Sequence, residues 1–185
     1  MPHDPPQPPP LAKLMLKVRH NDVRGIRRLL RRSKDRSAFV NQLWKGRPPL
    51  YDAIDLGHLE AATILLKYGG ADPTLSVGPL VAARRPGTPW DLALANRTRR
   101  GLWMLDVIIR HVRLPEHSEM LMRFAVELDA KIDDWPEVLA ILPVAARRLG
   151  KPAGWIPTEQ QVTNPDLESA QPTTSVASSR RAIKP

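Results

Sequence analysis

Residues 46–74 read GRPPLYDAIDLGHLEAATILLKYGGADPT, and the punctuation of this stretch decides the fold. A proline turn opens a short helix, Gly57 ends it, and a second helix runs to Gly69-Gly70, where the glycines cap and stop it. Leu50, Ala53, Leu65 and Leu66 recur at helical spacing, which places them on the faces that such a pair turns towards its neighbours. One pair of short helices buries little surface by itself, so the pattern implies further copies stacked on either side.

The copies are present. Gly57-His58-Leu59-Glu60 with Leu65-Leu66 is answered 36 residues earlier by Asn21-Asp22-Val23-Arg24 with Leu29-Leu30. The turn Pro48-Pro49-Leu50-Tyr51-Asp52-Ala53 is answered 40 residues later by Thr88-Pro89-Trp90-Asp91-Leu92-Ala93, and Leu65-Leu66 is answered 43 residues later by Ile108-Ile109. The first unit reads as two short helices between Leu11 and Arg32, broken at His20-Asn21-Asp22, whose Asn-Asp pair supplies an N-cap. Beyond Val112, Glu119–Lys131 carries Met120, Leu121, Phe124, Val126 and Leu128 at helical spacing. Asp134-Trp135-Pro136-Glu137 reads as a capping box opening another helix, which Pro143 is expected to kink or end.

Gly46, Pro49, Leu50, Ala53, Gly57, His58, Glu60, Leu65, Leu66, Ala71 and Asp72 follow a Gly-x-Thr-Pro-Leu-His-x-Ala turn and inner helix, then Gly-His-x-Glu, Leu-Leu and Gly-Ala-Asp. On these residues the stretch 46–74 resembles the ankyrin repeat family. The resemblance is weaker over 11–32 and 87–112, and it covers the chain from about Leu11 to Val112. It implies an all-α fold, an ankyrin-type helical repeat solenoid of about three degenerate repeats, closed by a divergent C-terminal helical cap over 115–150. The departures are specific. Pro48 replaces the family threonine, Tyr51 and Asp91 stand where the family histidine stabilises the turn, and Asp52 takes a usually apolar inner-helix position. The linkers exceed a 33-residue period by about 3 and about 7 residues, which predicts enlarged loops after Leu30 and after Asp72, with Val77–Arg85 the more mobile.

A chain of 185 residues, 42% hydrophobic and 25% charged, holds one ordinary core. Of its 20 prolines, 11 lie in the short ends, where apolar periodicity also stops, so residues 1–10 and 151–185 read as disordered tails around a domain over 11–150. The absence of cysteine excludes disulfides, thiolate metal sites and a cysteine nucleophile. No run approaches the roughly 18 apolar residues that span a bilayer, and no leader is evident, so the expectation is a soluble intracellular protein of the cytoplasm or nucleus.

Catalytic and metal readings find little in the sequence. The histidines are scattered, without a pair at i,i+4. His58 beside Asp55 has the residue types of a base and its orienter, but the family pattern places it in the turn between paired helices. Gly69-Gly70 follows a helix and lacks the Lys-Ser/Thr of a phosphate loop. Asp52 and Asp55 lie one helical turn apart, and Asp133-Asp134 reads as an N-cap. Among the tryptophans, Trp90 replaces a family leucine and is expected in the core, Trp103 fits core or surface, Trp44 falls at a finger tip, and Trp155 is placed to tuck the tail onto the cap.

A formal net charge of +9 points to a nucleic acid or an acidic protein surface. The resemblance implies a non-enzymatic protein-binding adaptor, monomeric and without cofactor, that uses a concave surface of finger loops and inner helices. On that surface it places Trp44, Lys45, Arg47, Asp55 and Leu56 from the second unit and Arg84, Arg85, Ala95 and Asn96 from the third, which favours an acidic protein partner. The alternative is binding of nucleic acid or anionic lipid through the Arg-rich segment 19–36. There Arg24, Arg27, Arg28, Arg31 and Arg32 recur at three and four, opposite Val23, Ile26, Leu29 and Leu30. The third reading of that stripe is a solvated helix face.

Overall fold

Asp22 starts the second helix by accepting a hydrogen bond from the Gly25 amide at 2.8 Å, directly after Asn21 turns the chain with φ 49°. The computed structural model in which this is seen describes residues 9–78, 87–112, 118–131, 135–152 and 155. Helix α1 (Pro10–Arg19) buries Leu14, Met15 and Val18, and α2 (Val23–Arg32) buries Ile26 and Leu30, so each presents one apolar stripe. The Lys17 ammonium at 2.7 Å and the Gly25 amide hold the Asp22 carboxyl below its ordinary pKa, which keeps the cap charged.

The second unit is α4 (Pro49–Asp55) and α5 (Leu59–Ile64), joined through Gly57 at φ 74°. The outer helix then widens into a π turn, Leu65–Gly69, which Gly70 closes at φ 73°. In the third unit Thr88 and Asp91 form a reciprocal capping box at the start of α6 (Pro89–Ala95), and Thr98 caps α7 (Arg99–His111). In that box the Thr88 amide donates to the Asp91 carboxylate at 3.1 Å. A last group comprises α8 (Ser118–Asp129), a 3₁₀ turn (Pro136–Ala140) and α9 (Leu142–Arg148).

These pairs stack in order. α1 packs on α4 and α4 on α6, while α2 packs on α5, α5 on α7 and α7 on α9, which gives two layers of helices with the core between successive pairs. Leu50, Ala53, Leu65, Leu66, Trp90, Ala93 and Ile108, the positions expected between neighbours, are all buried. Trp90 stacks on Phe124 of α8, with ring centroids 3.6 Å apart, and so joins the third pair to the terminal group. The protein is all-helical: among the described residues there is no strand, only an isolated bridge between Trp44 and Arg47. No described helix is long and apolar enough to cross a membrane.

Three local expectations need correction. The insertion after Leu30 is not an open loop: it folds into α3 (Arg36–Val40), capped by Asp35 and pinned by buried Val40. Asn41 then bridges it to the next turn, donating to the Gly70 carbonyl and accepting from the Asp72 amide at 2.9 Å. Pro143 does not end a helix, because it lies in the first turn of α9, where its missing N–H is no loss. The segment after Trp135 winds as a 3₁₀ turn with no side-chain cap from Trp135, and Asp133 and Asp134 lie outside the described residues. Most of the two tails read as disordered, and most of Val77–Arg85, also lie outside them. The described stem of that loop is anchored, with Val77 buried and the Gly78 amide donating to the Gly46 carbonyl at 2.7 Å.

Candidate functional site

Trp44 and Arg47 pair through both backbone hydrogen bonds, at 2.9 and 3.1 Å, around Lys45 and Gly46. Those two central residues take φ values of 51° and 77°, the signature of a tight hairpin whose twist matches its flanks. This hairpin is the finger. Its tip exposes Lys45, while Trp44 is half-buried. The exposed large apolar residue next to the hairpin is Leu43.

Arg47 does not project a spare charge either. Its guanidinium lies 3.6 Å from Asp52 and 3.7 Å from Asp55, while Arg19 donates to the other Asp52 oxygen at 2.9 Å. Asp52 is the one buried charged residue among those described, with 3% of its surface exposed. An aspartate at an inner-helix position is therefore explained by two arginines that neutralise it from neighbouring elements. Asn96 closes α6 and accepts from the Thr98 hydroxyl at 2.7 Å, so it serves the turn it sits in. Leu56 and Ala95 are exposed, and Arg84 and Arg85 lie outside the described residues. Of the expected concave set in the second unit, Arg47 and Asp55 are thus paired with each other, while Lys45 and Leu56 are exposed.

The histidine and asparagine of the repeat turns also have internal duties. His58 Nε2 donates to the Arg19 carbonyl at 3.2 Å, and Asn21 donates to Glu60 at 3.2 Å, so each stitches one unit to the next. Among the described residues no group of three or more His, Cys, Asp or Glu is arranged to hold a metal ion. Trp103, left open between core and surface, is 46% exposed under the Arg99 guanidinium, whereas Trp155 packs against the core.

The α2 stripe behaves differently. Arg24, Arg27, Arg28, Arg31 and Arg32 are all exposed and line one open groove. Among the described residues, no carboxylate lies within ion-pair distance of any of them. At the edge of this groove Arg27, Leu30, Arg31, Arg36 and Tyr68 enclose a cleft of about 180 Å³. Arg36 comes from α3 and Tyr68 from the π turn, so three elements meet there. Arg27 stands 5.4 Å and Lys67 5.5 Å from the Tyr68 ring centre, within cation–π range.

Tyr68 and the position of Arg36 escaped the sequence reading. The signal for Tyr68 was an aromatic directly before Gly69-Gly70, after the apolar Leu65-Leu66 pair, where an outer helix is leaving the core. Arg36 was visible in the basic segment, but only folding of α3 brings it back to α2. Compared with protein-family models, with curated proteins and with solved structures, the chain matches none.

Proposed function

We propose that this chain is a non-enzymatic helical repeat module of the ankyrin type, working inside the cell, that binds an acidic segment of a partner protein through the arginine face of α2. The repeat reading is supported by the residue pattern at 46–74 and by helix pairs that stack in chain order. The binding reading rests on one observation: five exposed guanidinium groups on one helix face with no carboxylate at ion-pair distance among the described residues, in a chain that pairs Arg19, Arg47 and Arg110 with its own carboxylates. Such a face attracts and orients an acidic chain, and guanidinium groups hold carboxylates by bidentate hydrogen bonds.

A fluorescent Glu-rich peptide titrated against the purified protein tests this. Binding is expected to be abolished by Arg27→Glu with Arg31→Glu and only slightly weakened by Trp44→Ala with Lys45→Ala. The reverse ranking moves the site to the finger, where Lys45 and Leu43 are exposed. Tighter binding of duplex RNA or DNA than of the peptide at physiological salt, with a steep salt slope, assigns the stripe to phosphate backbones instead.

A further inference from the structure

Resting on that reading, we propose that the cleft between α2, α3 and the π turn is a subsite for a phosphorylated side chain within the partner's acidic segment. Three guanidinium groups line it, Arg27, Arg31 and Arg36, and no carboxylate does. The nearest acid in sequence, Asp35, spends its Oδ1 on the Ala38 amide, the bond that caps α3 and so fixes where Arg36 starts.

The number of donors selects the ligand. A carboxylate offers two oxygens and one charge, which one guanidinium satisfies. A phosphate monoester offers three oxygens and about −1.5 to −2 charges, which match several arginines at once. Size and walls point the same way. The cleft, about 180 Å³, has room for one head group. Buried Leu30 and Tyr68, which is 42% exposed, also line it, so the methylenes carrying the phosphate have apolar surface beside them. The ring is itself engaged by Arg27 and Lys67, which sets it as a wall for a side chain and not as an open platform for a base.

The test uses the full chain and three fluorescein-labelled peptides of one Glu-rich sequence, whose centre is serine, phosphoserine, or two aspartates that match the phosphate charge. The phosphoserine peptide is expected to bind on the order of tenfold more tightly than the charge-matched one. That preference should vanish in Arg31→Ala with Arg36→Ala. It should persist in Arg24→Ala with Arg28→Ala, which lowers the affinity of all three peptides alike. Arg31→Lys, which keeps charge and fold but loses the planar fork, should reduce the preference, and this separates recognition from any loss of folding in the double variant. Equal affinity of the phosphoserine and aspartate peptides overturns the subsite and leaves the acidic-partner reading standing. So does a preference that survives the Arg31 and Arg36 changes. Duplex RNA displacing every peptide overturns both.

Discussion

Gly101 has no room for a side chain. A Cβ there would overlap the Asn96 carbonyl oxygen and meet Asn96 C at 2.8 Å and Ala93 O at 3.0 Å, all of it backbone that cannot rotate away. Alanine is ordinarily the better helix former by about 1 kcal/mol, yet Gly101→Ala is expected to destabilise by about 2 kcal/mol, because overpacking outweighs propensity. A denaturant midpoint that rises in this variant would show that the turn before α7 is looser than described. Asp52 carries a second residue-scale lesson. Its acidic side chain at an apolar position was legible as a departure, but its partners were not, because Arg19 and Arg47 reach it from 33 residues away and from the neighbouring finger.

At the scale of elements, the contact between Trp90 and Phe124 joins the third helix pair to the terminal group. The rings are stacked at 7° between planes, and the indole N–H donates to Glu127. Trp90→Ala is expected to cost about 3–5 kcal/mol and to loosen α8 and α9 first, read as early amide exchange beyond residue 118. Loss of protection spread evenly over α1 to α9 would mean that the pairs do not unfold as neighbours. Sequence legibility divides along the same line. α4, α5 and α6 were readable because glycine and proline punctuate them and their apolar positions repeat in register. α3 was not, since an insertion has no counterpart to be compared with, and its five residues are stabilised by the Asp35 cap and by Asn41 contacts to a distant turn. Pro143 misled for a related reason: proline ends a helix or begins one, and only the position of α9 decides which.

For the whole molecule, basic groups gather beyond α2 as well, and His111 reports it. Burial, then the charges of Lys67, Arg148 and Arg110, push its pKa below the ordinary 6.5. The unfolded chain therefore binds this proton more readily, so stability is full above about pH 6.5 and declines as pH falls towards the folded pKa. The melting temperature is expected to drop between about pH 7.5 and 5.5, and His111→Gln should flatten that drop; an unchanged profile would place the pH sensitivity elsewhere. The all-helical class was readable from the punctuation of 46–74, whereas the arginine face was readable only as a charge run until the self-pairing of Arg47 set the two candidate surfaces apart. Whether the arginine face of α2 or the Trp44–Arg47 hairpin receives an acidic partner is read from backbone amide shifts of the isotope-labelled protein as a Glu-rich peptide is added. Saturable shifts confined to Val23–Arg36 and Lys67–Gly70 are expected, and shifts confined to Gln42–Arg47 and Asn96 would move the site to the hairpin.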